Sequence, residues 1–123
     1  MIPTTFINFS NHPIAKFTPE QLQALEGFSI VAEVPFPQVP ASASREEVQA
    51  LAQESVERIM AFRPDVVMCQ GEFTLTYAVV TELKARGVKV VSACSDRNSR
   101  EVVHDDGSVT KESVFRFRQF REY

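Results

Sequence analysis

The sequence contains few residues that bind metal ions or form disulfide bridges. Its two histidines and two cysteines are scattered without the spacing of a metal site, so we expect neither a metal nor another cofactor. Cys69 and Cys94 both lie in apolar runs, and one pair of cysteines without a secretory leader is a poor disulfide framework. A reducing, cytoplasmic setting is therefore expected.

The chain also lacks a long apolar run and an excess of positive charge. Nowhere do about 18 apolar residues run together, and no basic segment precedes an apolar one at the N-terminus, so we expect neither a membrane span nor an export signal. The formal net charge of -3 argues against a protein that coats duplex DNA by charge alone. Ten of the 13 basic residues lie in residues 63–123, which makes that half the better host for an anionic ligand.

The apolar content is sufficient for one hydrophobic core. The 13.8-kDa chain is 44% hydrophobic and 24% charged, which is typical of an ordinary globular protein. Folding at this size removes roughly two thirds of the extended chain's surface from water. We therefore expect residues 1–123 to form a single domain.

Strand and helix patterns alternate along the chain. Runs of β-branched and apolar residues predict strands at 5–9, 28–34, 65–69 and 88–94, and helical periodicity predicts helices at about 18–26, 44–60 and 71–86. Residues 101–104 and 114–118 flank Asp105-Asp106-Gly107 and are typical of an antiparallel hairpin. This order predicts an α/β fold: a Rossmann-like, three-layer domain whose mainly parallel sheet of four strands gains a C-terminal antiparallel hairpin.

Local signals support two of the helices and the position of one strand. Thr18 with Gln21 and Ser44 with Glu47 have the spacing of capping boxes. The strand at 65–69 is almost continuously apolar, which indicates a central strand covered on both faces.

Polar residues follow each predicted strand. In open parallel sheets, ligands bind outside the carboxyl ends of the strands, so these segments are expected to lie together on one edge. They are Ser10-Asn11-His12, Pro35-Phe36, Gln70-Gly71-Glu72 with Thr74, and Ser95-Asp96-Arg97.

The turn after the third strand is the most informative of the four. Gly71 allows the backbone to approach a ligand, and the helix that follows offers free N–H groups. Glu72 and Thr74 have two interpretations: they satisfy the helix's own donors, or Glu72 binds a ribose hydroxyl or acts as a base.

The other segments have similar alternatives. His12 can act as a general acid or base, or serve as a turn residue; Ser10 and Asn11 can bind a ligand, or Asn11 can hold the turn. Arg97, with Arg100 nearby, can bind a phosphate. Alternatively, Asp96 simply forms an ion pair with Arg97.

Two further patterns have weaker functional interpretations. Cys94 to Arg100 has the C-x5-R spacing of a phosphatase loop, but it contains no glycine and precedes a hairpin, so Cys94 is better read as a buried apolar residue. The alternation of aromatic residues and arginine in 115–123 favours an edge strand over a nucleic-acid platform, although Arg121 and Tyr123 can still reach a partner subunit.

Four short segments together resemble a known family. They are Asn8-Phe9-Ser10-Asn11-His12-Pro13, Gln70-Gly71-Glu72-Phe73-Thr74-Leu75, Ala93-Cys94-Ser95-Asp96-Arg97 and Phe120-Arg121-Glu122-Tyr123. In combination they look like the small accessory proteins of type III CRISPR loci that are related to CARF domains and ring nucleases. The resemblance implies a homodimer that binds cyclic oligoadenylate messengers in antiviral signalling and cleaves them without a metal. A non-catalytic sensor or sponge is the alternative, and a small phosphatase or nucleotide-binding enzyme is a third possibility.

The resemblance also implies roles for the polar segments. His12, Glu72 and Arg97 would be catalytic, with Arg97 on the phosphate oxygens and His12 or Glu72 moving the proton. The ligand-binding residues would be Ser10, Asn11, Phe36, Gln70, Gly71, Thr74, Ser95 and Asp96.

Overall fold

The computed structural model describes residues 4–123, and its strands form one mixed five-stranded sheet. The strands are β1 (Thr5–Ser10), β2 (Ile30–Glu33), β3 (Val66–Gln70), β4 (Lys89–Val103) and β5 (Val109–Glu122). The helices are α1 (Pro19–Gln23), α2 (Arg45–Met60) and α3 (Phe73–Ala85), with a 3-10 turn at Ile14–Lys16. The expected α/β class, with a mostly parallel sheet and a C-terminal antiparallel hairpin, is confirmed.

Both predicted capping boxes are present at the helix starts. The Thr18 hydroxyl accepts from the Gln21 N–H, and the Ser44 hydroxyl accepts from the Glu47 N–H, while each N3 side chain bonds back to the cap backbone. These reciprocal bonds satisfy donors that would otherwise have no partner in the first turn. The sequence therefore places the starts of α1 and α2 correctly, although α1 ends at Gln23 rather than near residue 26.

The strand order is β2-β1-β3-β4-β5, so β3 is central as its apolar sequence predicts. β1 pairs in parallel with β2 and β3, and β3 pairs in parallel with β4. Val67, Met68 and Cys69 of β3 are all buried, because α3 covers one face of the strand and aromatic side chains cover the other.

The two faces of the sheet are covered differently. Helices α2 and α3 pack on one face, where Ile7, Phe9, Val67 and Cys69 meet their apolar sides. On the other face, residues 4–123 contribute the 3-10 turn, the short helix α1 and a row of aromatic rings. In this row Phe28, Phe6, Phe120 and Phe117 follow one another with ring centroids 5.3, 5.4 and 5.0 Å apart. We call these the α3 face and the α1 face.

The prediction that the fourth strand ends at Cys94, with a loop at Ser95–Arg97, is wrong. β4 continues to Val103 and pairs with β5 over that whole length, with a register irregularity between Cys94 and Ser95. Polar residues extend the strand because the segment has no glycine or proline to stop it and β5 supplies a backbone partner for each position. The base of the hairpin therefore forms the antiparallel edge of the sheet, where residues 91–94 pair with residues 119–122.

Residues 95–118 of this hairpin project beyond the sheet, and we call them the arm. The β3–β4 register ends at Met68 opposite Val91, so the arm strands pair only with each other. Val103 lies ten residues past Ala93, which at about 3.3 Å per residue is about 33 Å. The arm turns at the predicted Asp-Gly segment, where Gly107 has a φ of 87° and the Asp106 carboxylate accepts from the Ser108 N–H.

Among residues 4–123, no helix is both long enough and apolar enough to cross a membrane.

Candidate functional site

The turns after β1 and β3 lie side by side at the carboxyl ends of these strands, and we call the place where they meet the crevice. The chain leaves β1 toward the α1 face and leaves β3 toward the α3 face, so two neighbouring strands send their connections in opposite directions. In open α/β sheets, ligands bind at such a reversal, outside the carboxyl ends of the strands. The walls of the crevice are the turns at residues 10–12 and 70–72, and the Asn11 N–H reaches across to the Gln70 carbonyl at 3.4 Å.

A buried polar network fixes the turn after β1. The Asn8 amide, 2% exposed, donates from Nδ2 to the His12 carbonyl at 2.8 Å and to Glu33 Oε1 at 3.2 Å. The Ser10 hydroxyl donates to Asn8 Oδ1 at 2.6 Å and accepts from the His12 N–H at 3.1 Å. Ser10 is thus a buried support of the turn, whereas Asn11 is exposed at its tip.

The His12 ring lies beside this network on the α1 face. It is half-buried and stacks on Phe17, with centroids 5.4 Å apart and planes within 12°. The bonds from Asn8 and Ser10 fix the His12 main chain next to the crevice, and the stack on Phe17 orients the imidazole.

The turn after β3 is shaped by a close contact between Gly71 and Phe36. A Cβ atom on Gly71 would lie 2.5 Å from Phe36 Cζ, and the Phe36 ring packs on Phe9 at 4.8 Å. No side chain other than hydrogen fits at position 71 unless the ring moves. The Phe36 ring therefore packs beneath the turn and supports it.

The Glu72 carboxylate is bonded to the start of α3. It accepts from the N–H groups of Thr74 at 3.0 Å and Leu75 at 2.9 Å, and from the Thr74 hydroxyl at 2.7 and 2.8 Å. These bonds, led by that from the Thr74 backbone, lower the pKa of Glu72 from its ordinary value. Of the two interpretations of Glu72 and Thr74, the structure displays the capping arrangement, and a carboxylate with a lowered pKa is a weak base.

Gln70 and Tyr123 connect the crevice to the neighbouring strands. Gln70 Oε1 accepts from the Ala93 N–H of β4, and the Tyr123 hydroxyl donates to the Cys69 carbonyl at 2.7 Å. Burial raises the pKa of the Tyr123 hydroxyl, and it raises the pKa of the Cys69 thiol to about 12. Gln70 is thus a staple between β3 and β4 as well as a wall of the crevice.

Cys94 and Arg100 do not form a phosphate-binding loop. Both lie on the extended strand β4, where six residues span about 20 Å. A C-x5-R nucleophile site requires the backbone to curl so that the cysteine and arginine meet, and this strand keeps them apart. The structure therefore removes the basis of the phosphatase interpretation.

The segment Ser95-Asp96-Arg97 lies on the arm and not on the crevice wall. All three residues are exposed, and Arg97 stands four residues beyond Ala93, or about 13 Å. Asp96 pairs with Arg118 Nε at 3.3 Å and not with Arg97, because adjacent residues of a strand point to opposite faces. The alternative in which Asp96 simply pairs with Arg97 is wrong for that reason.

A groove between α2 and α3 was not anticipated from the sequence. It encloses about 840 Å³ above small side chains of both helices, and the rings of Phe73 and Tyr77 flank it. Phe73 is 89% exposed and Tyr77 is 76% exposed, one helical turn apart on α3. The sequence did indicate this exposure, because Phe73 and Tyr77 do not lie on the helix face that Leu75, Val79 and Leu83 turn toward the core.

Within residues 4–123, no group of three or more His, Cys, Asp or Glu side chains is placed to hold a metal ion.

Comparison with known proteins gives a family. Residues 4–121 match the model of the uncharacterized protein MJ1673 family. The chain belongs to this family. No curated protein matches the sequence. The MJ1673 family match covers both walls of the crevice and the whole arm.

In this MJ1673 family member, the predicted site residues separate into two groups. Ser10, Asn11 and His12 meet Gln70 and Gly71 at the crevice, as expected from the strand ends. Ser95, Asp96 and Arg97 stand above them on the arm. Sequence reasoning missed Asn8, Glu33 and Tyr123; the detectable signal was Asn8, a polar side chain inside the otherwise apolar run of β1.

We expect Gly71→Ala to destabilise the fold by about 1–3 kcal/mol, because the new methyl group overlaps the Phe36 ring. Phe36→Leu in the same chain should recover part of that loss, since it removes the atoms that clash. Urea unfolding of the two single variants and the double variant measures the coupling between the positions. Gly27→Ala is the control, because a Cβ there has no atom within 4 Å. Strictly additive effects would contradict the proposed contact.

We expect Glu72→Gln to lower the melting temperature at pH 7 by a few degrees, because the amide loses the charge that the α3 donors favour. The folded-state pKa of Glu72 lies below its usual 4.5, so the stabilisation is present above about pH 4.5. It is lost as the pH falls through the folded-state pKa, where the wild type also becomes neutral. Thermal unfolding from pH 7 to pH 3 should show the two proteins converging; a constant difference would argue against the charged cap.

Proposed function

We propose that the protein binds a cyclic oligoadenylate in the crevice, on a Rossmann-like sheet that uses the β1–β3 reversal as its ligand site. The observation that carries this proposal is the reversal between β1 and β3, where two polar turns that are fixed by hydrogen bonds meet. The exposed Asn11 side chain and the open Gly71 backbone supply hydrogen-bond partners for ribose and phosphate. Arg97 on the arm supplies positive charge that the crevice lacks, because no carboxylate of residues 4–123 pairs with it.

Binding without cleavage, as in a sensor or sponge, fits the arrangement best. The Glu72 carboxylate is held by the start of α3 and its pKa is lowered, which opposes its use as a base. Arg97 stands about 13 Å above the crevice wall, far from His12 along the strand direction. For an in-line attack, the base that accepts the hydroxyl proton and the cation that binds the phosphate must lie at the same reacting atoms.

Cleavage is the second candidate, and the position of His12 favours it. The imidazole is half-buried at the crevice edge, within reach of a ribose hydroxyl lying there. His12 would take the proton of that 2'-hydroxyl, the 2'-oxygen would attack the adjacent phosphorus, and the bond from phosphorus to the 5'-oxygen of the next nucleotide would break. The ribose then carries a 2',3'-cyclic phosphate, and the leaving 5'-oxygen takes a proton from His12 or from water. This route gives His12 the proton transfer and leaves Glu72 as a helix cap.

We propose further that two copies associate through the α2–α3 groove. The patch contains both projecting rings, Phe73 and Tyr77, and a hollow over the small side chains Ala52 and Ala78. A surface that has both knobs and a hollow can match a copy of itself about a twofold axis. Glu82 and Arg86 at one end of the groove pair with each other at 2.9 Å, so no unpaired charge from these two residues would be buried in the interface. An exposed pair of rings of this size otherwise leaves a large apolar area in water.

We expect cyclic tetra-adenylate or hexa-adenylate to bind in isothermal titration calorimetry, and Asn11→Ala to weaken the affinity about tenfold, which corresponds to about 1.4 kcal/mol. Ser29→Ala is the control, because Ser29 is exposed at the amino end of β2, opposite the crevice. Linear oligoadenylate of equal length tests the preference for a ring. Absence of heat and of competition with either ring would refute the proposed function.

Chromatography of the same incubations distinguishes the two candidates. We expect the ring to be recovered intact, as for a sensor or sponge. Linear products that disappear in His12→Ala and persist in Glu72→Gln would establish cleavage through His12. Products that disappear only in Glu72→Gln would contradict both assignments.

We expect light scattering to report about twice the 13.8-kDa chain mass, and Tyr77→Ala to weaken the dimer at least tenfold. The reason is the loss of a ring that would fill the partner's hollow. Phe62→Ala is the matched control, since Phe62 is an exposed aromatic residue just past the end of α2. A wild-type monomer at high micromolar concentration, or a dimer insensitive to Tyr77→Ala, would exclude this interface.

A further inference from the structure

The row of rings on the α1 face continues out along the arm. Phe120 contacts Phe6 of β1, Phe117 contacts Phe120 at 5.0 Å, and Phe115 is the next residue on the same face of β5. Burial decreases along the row: Phe6 is 1% exposed, Phe117 is half-buried and Phe115 is 65% exposed. The row thus begins in the core and ends as a ring in solvent.

Arg97 lies directly opposite Phe115 in the β4–β5 register. Its guanidinium carbon is 5.9 Å from the Phe115 ring centroid, and its Nη2 donates to the Ser113 hydroxyl at 3.4 Å. Among residues 4–123, Arg97 has no carboxylate within ion-pair distance, whereas Arg100 and Arg118 on the opposite face pair with Glu112 and Asp96. This face of the arm therefore presents an aromatic ring and an unneutralised cation together.

Small polar residues surround this pair and leave the ring accessible. Ser95 lies opposite Phe117, and Ser99 lies opposite Ser113, all on the face of Arg97. Apart from Phe117, the adjacent register positions on this face hold only serines, so a flat apolar group can approach the exposed Phe115 ring. The same face leads down the arm to the side of the crevice on which His12 lies.

The exposed Phe115 ring and the Arg97 guanidinium, unpaired within residues 4–123, together favour a nucleotide over an apolar peptide as the ligand of this face. Bases stack on exposed aromatic rings without sequence preference, and guanidinium groups bind phosphate oxygens or stack beside the base. A purely apolar partner would cover Phe115 but would bury Arg97 without a counter-charge. The charge of a phosphate and the flat face of a base match both residues.

We infer that the Arg97–Phe115 face is a nucleobase-binding subsite, which holds an adenine of the ligand whose backbone lies in the crevice. This inference rests on the proposed function. Phe117 and Phe115 stand about 7 and 13 Å above the level of Ala93, since their partners Ser95 and Arg97 are two and four residues past it. The arm thus acts as a stacking wall above the His12 side of the crevice and not as a source of catalytic charge.

The absence of tryptophan from the sequence allows a direct test. Phe115→Trp introduces a single tryptophan at the proposed subsite, and Val114→Trp places one on the opposite face of the same strand as a control. On titration with cyclic tetra-adenylate and cyclic hexa-adenylate, we expect quenching of tryptophan emission in Phe115→Trp and little change in Val114→Trp. Calorimetry should show about tenfold weaker binding for Phe115→Ala and near wild-type binding for Phe115→Trp.

The outcomes separate this inference from the proposed function. Wild-type binding, with no quenching in Phe115→Trp and no loss of affinity in Phe115→Ala, would overturn the subsite and leave the crevice as the binding site. No binding by the wild type would overturn both. Tryptophan emission of Phe115→Trp that shifts with protein concentration in the absence of ligand would show a second copy on this face, and would likewise overturn the inference.

Discussion

The parallel pairing of β1 with β3 is the contact on which the rest of this structure depends. Its register runs from Phe6 opposite Val66 to Ser10 opposite Gln70, so both strands end at the same level. Their connections leave on opposite faces because α1 lies on one side of the sheet and α3 on the other. A crevice at this point follows from the topology, and the same level of strand ends brings two polar turns to its walls.

The turns are held by interactions that lie beneath them. Asn8 and Ser10 fix the first turn through its backbone, while Phe36 fills the space that Gly71 leaves under the second. Such supports matter for recognition, because a ligand then meets donors that are already in place and less ordering is required on binding. The helix cap at Glu72 belongs to the same class of support, since it orders the start of α3 beside the crevice.

The arm gives this small domain a second exposed surface beside the crevice without requiring a larger hydrophobic core. Its strands pair only with each other past Ala93, and an isolated two-stranded ribbon is marginally stable in water. The row of phenylalanine rings offsets this, because Phe117 and Phe120 tie the base of the arm to Phe6 in the core. Function and stability are therefore linked there: the rings that anchor the arm also lead to the exposed Phe115.

The sequence by itself determined the features that depend on nearby residues. The two capping boxes, the central apolar strand β3 and the Asp-Gly turn were predictable because helix caps, alternation and turns involve residues a few positions apart. Ser10 and Asn11 also lie beside Gln70, as expected for residues at the ends of paired parallel strands, while their part in ligand binding stays a prediction. Tertiary structure decided the length of β4, the pairing of Asp96 with Arg118 and the exposure of Phe73 and Tyr77. These depend on which elements meet after the chain has folded. The polar part of β4 forms a strand because β5 returns along it, and the two rings are exposed because no other element of residues 4–123 covers them.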